Sequence, residues 1–303
     1  MARPQILITG GAGYIGSRLA RRVAGSAEVT VLDNLRRGKR DALGPAGEGI
    51  RFVPGDIRDE DTLLALTRGA DVVFHLAAES AVMAADADPE YCFETNVTGT
   101  FRVLQAARKN RVGRVVFSSS REVYGDAESI PVAETAPLRP RNTYGASKAA
   151  AEMLCGAFAG EGLEIAIARF SNVYGPGDKG RVIPRFVENA LAGLPFTLFG
   201  GSQVMDFVWI ETAVDALVRL GTGPHIPGPL NVASGKGVSL GELCRRVREV
   251  TGSSSPVEIA ARREMEVSRF VADVSAARAA IGLSVPEDPL FGLAEVVREV
   301  TFA

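Results

Sequence analysis

Histidine is scarce in this chain: 303 residues include two, His75 and His225, beside three cysteines and a single tryptophan. Cys92, Cys155 and Cys244 stand singly in helix-like segments, without the spacing of ligands that share an ion, so no metal site is expected. Isolated cysteines of this kind read as small buried apolar residues in a reducing compartment. An excess of one charge is missing too. The formal net charge is −2 and the arginines are spread along the sequence, which lacks the electrostatic signature of a nucleic-acid or anionic-membrane partner. No apolar run is long enough to cross a bilayer, and the N-terminus enters a strand-like segment without a charged-then-apolar leader. A soluble, cytoplasmic protein is the expectation. Internal repeats and low-complexity tracts are also absent.

Glycine is plentiful, at 33 residues, and its placement carries the first positive signal. Thr9-Gly10-Gly11-Ala12-Gly13-Tyr14-Ile15-Gly16 follows the apolar run Ile6-Leu7-Ile8 and leads into Ser17-Arg18-Leu19-Ala20-Arg21-Arg22-Val23, which has helical spacing. This is strand, tight turn, helix. Gly10, Gly13 and Gly16 leave no Cβ where a pyrophosphate approaches the backbone and where the helix packs on the strand. The helix N-terminus offers free N–H groups and a partial positive charge to that pyrophosphate. Asp33, closing the next strand (Glu28-Val29-Thr30-Val31-Leu32), stands where a carboxylate meets the ribose hydroxyls of NAD. Arg36 and Arg37 offer a clamp for the extra phosphate of NADP, but Asp33 repels it, so NAD is expected.

The rest of the first half repeats strand and helix. Ile50-Arg51-Phe52-Val53 is a strand followed by Gly55-Asp56-Ile57, where Asp56 meets an adenine edge, caps the helix Asp61 to Thr67, or does both. Asp71 to Ala78 is an apolar strand of the kind buried on both faces of a parallel sheet. His75 within it reads as a packed, hydrogen-bonded residue, and His225, in a Gly/Pro loop, as incidental. A long helix is expected from about 89 to 110, with Asn96 either on a solvated face or holding a backbone group near the site. Arg114 to Phe117 is a strand ending in Ser118-Ser119-Ser120, and Leu163 to Arg169 another. Alternation without hairpins predicts a doubly wound parallel sheet of Rossmann type, with ligands beyond the carboxyl ends of its strands. Asp33, His75-Leu76-Ala77, Ser120 and Asn172 fall at such ends. From Asn172 the pattern loosens, with 173–178 read as loop, and a smaller α/β lobe is expected to close over the cofactor. The division expected is 1–171 with 207–235 for dinucleotide binding, and 172–206 with 236–303 for the substrate.

Tyr144-Gly145-Ala146-Ser147-Lys148 sets a phenol and an ammonium four residues apart on one helix face. A neighbouring cation favours phenolate, so Lys148 is expected to lower the pKa of Tyr144 towards a working pH. Ser120 is expected to hydrogen-bond the same substrate oxygen.

With these residues in place, the chain resembles the extended short-chain dehydrogenase/reductase family, in its branch of nucleotide-sugar epimerases and dehydratases. The likeness runs nearly end to end: Thr9 to Gly16, Leu32-Asp33-Asn34-Leu35, Gly55-Asp56-Ile57, His75-Leu76-Ala77-Ala78, Asn96 to Thr100, Ser118-Ser119-Ser120 with Val123-Tyr124-Gly125, Tyr144 to Lys148, Arg169 to Pro176, and Asp206-Phe207-Val208. The resemblance implies a catalytic set of Ser120, Tyr144 and Lys148. It implies NAD contacts from Gly10, Gly13, Tyr14 and Ile15 at the turn, and from Asp33, Asn34, Asp56 and Ile57 around the adenosine. Leu76, Ala77, Ala78, Asn96 and Ser118, with Tyr144 and Lys148, complete the cofactor site. For the nucleotide sugar it implies Ser120 and Asn172, with Val182, Leu198 and Phe199 lining a uracil or thymine base and Arg263 on the diphosphate. It also implies a homodimer through helices at about 89–109 and 144–160.

The reaction implied is oxidation at C4 of the sugar, with Tyr144 taking the hydroxyl proton. The 4-ketose is then reduced on the other face by a 4-epimerase, loses water in a 4,6-dehydratase, or loses CO2 in a decarboxylase. A UDP-sugar 4-epimerase is the first expectation. Two positions depart from that pattern. Arg121 and Glu122 stand where simple 4-epimerases carry small neutral residues; Glu122 either acts as a base, as in the other two branches, or pairs with Arg121 or caps a loop. Met205 replaces an arginine on the diphosphate, leaving Arg181, Arg185 or Arg263 to substitute, or the nucleotide to sit differently.

Overall fold

Residues 3–44, 49–160 and 162–302 are described by the computed structural model. In chain order these form β1 (Gln5–Thr9), α1 (Tyr14–Ala24), β2 (Glu28–Asp33), β3 (Ile50–Pro54), α2 (Glu60–Thr67), β4 (Val72–His75), α3 (Val82–Ala87), α4 (Pro89–Phe93), α5 (Gly99–Lys109), β5 (Arg114–Ser120) and α6 (Thr143–Phe158). There follow β6 (Glu164–Phe170), β7 (Asn172–Tyr174), α7 (Val182–Leu191), β8 (Phe196–Phe199), β9 (Val204–Trp209), α8 (Ile210–Thr222) and β10 (Pro229–Val232). The chain ends in β11 (Gly237–Ser239), α9 (Leu240–Thr251), β12 (Val257–Ala260), α10 (Ser275–Ile281) and α11 (Leu293–Phe302).

The apolar runs of the first half make one parallel sheet, ordered β10-β6-β5-β4-β1-β2-β3. Its strands are buried on both faces, so alternation is lost and each reads as a continuous hydrophobic run. One core cluster joins α1, α8 and α10 to one face through residues such as Leu19, Val214 and Ala277. The other joins α2, α5 and α6 to the opposite face through Leu63, Val103 and Ala151. The sheet is therefore doubly wound, as expected. A third cluster, built on Phe186, Phe196, Phe207, Leu243 and Leu293, belongs to the smaller lobe. Residues 267–283 leave that lobe again, since Phe270, Ala272 and Ile281 pack in the core of the large sheet.

Three local expectations change. The segment read as loop at 173–178 begins with β7, which pairs in parallel with β9 from Asn172↔Phe207 to Tyr174↔Trp209. Helix α2 starts at Glu60 and is capped by Asp59, whose carboxylate accepts from the N–H of Asp61 and Thr62; Asp56 does not cap it. The helical rod from Pro89 to Lys109 is interrupted by a π-helical stretch at Glu94–Thr98. Such bulges turn a side chain out of the regular repeat. Thr95 and Asn96 are the buried residues of this stretch, Asn96 at 1 % exposure.

Candidate active site

A cleft of about 1230 Å³ lies across the carboxyl ends of β1, β2, β4, β5 and β6 and continues beneath the smaller lobe. One end is made by the glycine turn. Gly10 has φ +70°, and a Cβ there would meet the backbone of Ala77 at 2.6 Å. A Cβ on Gly16 would meet the carbonyl of Gly10 at 2.3 Å, so the helix can sit against the turn only as glycine. Gly13 caps α1 without a side-chain bond, and the first turn holds no acidic residue. Uncompensated N–H groups therefore face the cleft, as a pyrophosphate requires. The Asp33 carboxylate is fixed at the end of β2 by the N–H groups of Ala12 (3.0 Å) and Leu35 (2.8 Å). The donor set fits a dinucleotide, with the turn for its phosphates and Asp33 for a ribose diol.

Arg36 lies over the Tyr91 ring at 3.6 Å, and Arg37 reaches Glu79 (3.3 Å) and Ser80 (3.0 Å) across the cleft. Both are thus engaged by groups other than a phosphate. His75 is enclosed between the hydroxyls of Thr9 (2.7 Å) and Thr100 (2.9 Å), and burial with the nearby Lys148 charge lowers its pKa to about 3. It is a neutral strut, as expected.

In mid-cleft, Ser120 ends β5, and its hydroxyl accepts from the Glu122 N–H (3.2 Å). Tyr144 and Lys148 rise from the first turns of α6, which is capped by Asn142. The helix comes close to the 121–123 turn because residue 145 is glycine: a Cβ there would lie 2.5 Å from the Glu122 carbonyl oxygen. Burial outweighs the lowering of the Tyr144 pKa expected from Lys148. Burial pushes the Tyr144 phenol up to about 12, with Ser120 and Arg181 pulling it down and Glu122 pushing it up. Lys148 is turned towards β5. Its ammonium donates to the Ser118 carbonyl (2.8 Å) over the Phe117 ring, and burial lowers its own pKa to about 8.

Glu122 forms an ion pair with Arg121 (2.7 Å) and accepts from Asn142 Nδ2 (2.8 Å); all three are buried. Under the lobe, Asn172 donates to the Asp206 carbonyl (2.9 Å), and Arg263 lies 3.5 Å over the Phe199 ring while pairing with Glu266.

Most residues singled out in the sequence line this one cleft: Gly10, Gly13, Tyr14, Ile15, Asp33, Asn34, Ile57, Leu76, Ala77, Ala78, Ser118, Ser120, Glu122, Tyr144, Lys148, Asn172, Val182, Phe199 and Arg263. Three do not. Asp56 is turned to Arg58 and Asn34; burial opposes its charge, yet their hydrogen bonds hold its pKa at about 2. Asn96 lies behind the wall, accepting from the Glu79 N–H (2.8 Å) and donating to its carbonyl (2.9 Å), the backbone-holding alternative of the sequence reading. Leu198 faces the lobe core, and Thr197, its neighbour in a strand of period two, lines the cleft instead. Asp178 and Gln203 also line it and escaped the sequence reading. Asp178 has its pKa raised to about 6 by burial, with Arg181 opposing. Its only sequence signal is a charge inside a Gly/Pro loop.

Residues 6–233 match the model of the NAD dependent epimerase/dehydratase family. The chain is 36% identical over 301 residues to a UDP-glucose 4-epimerase of Streptomyces lividans, covering 91% of this chain and 90% of that one. A UDP-glucose 4-epimerase of Thermotoga maritima, solved with UDP-glucose, superposes with a TM-score of 0.92 at 29% identity, covering 98% and 99% of the two chains. A dTDP-glucose 4,6-dehydratase of Streptomyces venezuelae, solved with NAD, superposes with a TM-score of 0.93 at 34% identity, covering 98% and 97%.

Proposed function

The chain belongs to the NAD dependent epimerase/dehydratase family, and from that premise we propose that it inverts C4 of a nucleotide-activated sugar, a UDP-sugar first. The observation that carries this reading is the opening of the glycine turn with Asp33, the Ser120–Tyr144 pair, and the Asn172–Arg263 wall into a single cleft. When bound, NAD supplies the hydride acceptor and donor. The chain supplies the proton chemistry. Tyr144 takes the C4 hydroxyl proton and later returns it, while Ser120, its oxygen already held by the Glu122 N–H, donates to the same substrate oxygen. Lys148, pinned between Ser118 and Phe117, keeps a positive charge one helical turn from the phenol at neutral pH. Arg181, Arg185 and Arg263 line the part of the cleft assigned to the diphosphate, where Met205 offers no charge. Val182 and Phe199 supply apolar surface for the base.

The same 4-ketose serves a dehydratase or decarboxylase. The observation favouring that second reading is the Glu122 carboxylate on the cleft wall. Incubation with UDP-, dTDP- and GDP-sugars, with products identified by NMR, separates the outcomes. A C4-inverted sugar supports the epimerase; a 6-deoxy-4-ketose or a pentose replaces it.

The proposal extends to a homodimer and a cytoplasmic setting. Phe93, Phe101 and Met153 stand exposed on the neighbouring helices α4, α5 and α6, giving them an apolar outer face. Cys92, Cys155 and Cys244 are buried and unpaired, which suits a reducing compartment.

A further inference from the structure

Arg121 and Glu122 are adjacent, buried, and both on the wall of the cleft, yet the C4 chemistry proposed above uses neither. Resting on that proposed activity, we infer that Arg121 is a positioning residue that keeps Glu122 from acting as a base, so that the 4-ketose is reduced rather than eliminated.

The chemistry at stake is simple. A ketone at C4 acidifies the hydrogen on C5. A carboxylate able to reach it breaks the C5–H bond and takes the proton, while the bonding pair moves into the enolate of the C4 ketone. Collapse of that enolate to the ketone forms a C5–C6 double bond as the C6–O bond breaks and the C6 hydroxyl leaves as hydroxide, which commits the sugar to elimination. Glu122 lines the same cleft as Tyr144, and its charge is felt at the Tyr144 phenol, whose pKa it pushes upward.

The geometry occupies both of its oxygens. Oε1 faces the Arg121 guanidinium at 2.7 Å, and Oε2 accepts from Asn142 Nδ2 at 2.8 Å. Neither partner is free to swing away. Arg121 is itself buried, with its guanidinium 5.7 Å from the centre of the Phe270 ring. Asn142 is the cap of α6: its Oδ1 accepts from the Gly145 N–H at 2.8 Å, and Nδ2 also donates to the Met265 carbonyl at 3.2 Å. A carboxylate held by a charged donor and a fixed amide is kept in that orientation. The backbone tightens the arrangement, since Gly145 brings α6 against the Glu122 carbonyl.

The test follows the C5 hydrogen. The holoenzyme and its Arg121→Ala, Arg121→Gln and Arg121→Lys variants are incubated with UDP-glucose in D2O, and deuterium at C5 is read by NMR against the amount of C4 inversion. The unmodified enzyme is expected to invert C4 with protium kept at C5. Arg121→Ala, or Arg121→Gln if the smaller side chain fails to fold, is expected to raise C5 deuteration per inversion at least tenfold. Arg121→Lys restores the original pattern, and adding Glu122→Gln to Arg121→Ala abolishes the exchange. C4 inversion in the neutral variants with no extra deuterium at C5 overturns the inference alone, as does exchange that survives Glu122→Gln. Failure of the unmodified enzyme to invert C4 of UDP-glucose and of every other sugar in the UDP-, dTDP- and GDP-sugar panel overturns the proposed activity, and this inference with it.

Discussion

At the scale of single residues, the site is set by what burial does to titratable groups. Burial pushes Tyr144 up to about 12 and pulls Lys148 down to about 8, so each resists the charge that proton transfer asks of it. A base with so high a pKa in the chain alone needs further positive charge before it works at neutral pH. General acid–base groups contribute about 10²–10⁴-fold, so Tyr144→Phe is expected to reduce kcat by that order while NAD stays bound. Steady-state rates and the absorbance of retained cofactor check the two halves. His75 gives a stability prediction. Its folded pKa, about 3, lies below the unfolded value near 6.5, so the unfolded chain takes up the proton first as the pH falls. The His75 contribution to stability is whole above about pH 6.5 and is lost progressively towards pH 3. His75→Gln, which keeps a donor and an acceptor between Thr9 and Thr100, should flatten the fall in urea midpoint between pH 6.5 and 4.

At the scale of elements, the close fit of α6 against the 121–123 turn rests on Gly145. Alanine there gains about 1 kcal/mol of helix propensity. The new Cβ, however, would sit 2.5 Å from the Glu122 carbonyl oxygen, and backbone does not yield as a flexible side chain does. Overpacking of this kind costs about 1–3 kcal/mol, so the clash wins. Gly145→Ala is expected to lower the denaturation midpoint and to reduce kcat more than KM, because Tyr144 moves with the helix start. The elements legible in sequence are those whose partners are local or whose pattern is strong: the glycine turn and the buried strands β1, β4 and β5. Strand β7 was missed because three residues carry no periodicity and its partner β9 lies some thirty residues on. Leu198 faces the lobe core because β8 turns successive side chains to opposite sides, and its four residues do not say in sequence which side meets the cleft. Asp59, not Asp56, caps α2 for the ordinary reason that its carboxylate reaches back-facing N–H groups two and three residues ahead. The Arg121–Glu122 pair is one of the alternatives the sequence offers, whereas the contacts of Asn142 with Glu122 and of Lys148 with Ser118 join elements distant in sequence, which spacing alone cannot supply.

At the scale of the whole molecule, the carboxyl ends of parallel strands gather the functional groups, and the smaller lobe roofs them. The exposed apolar side chains on α4, α5 and α6 lie away from that cleft, which leaves the face free for a second copy. Met153 is the most exposed of them, at 69 %. Sedimentation is expected to give a dimer, and Met153→Arg a monomer of unchanged fold; a monomeric parent protein contradicts the dimer and leaves the active-site reading intact.

The central claim is that C4 is oxidised and re-reduced inside one closed site. UDP-glucose carrying deuterium at C4 tests it directly. The account predicts that the inverted sugar keeps the deuterium on C4. Loss of the label to water, or its appearance on C6, contradicts it.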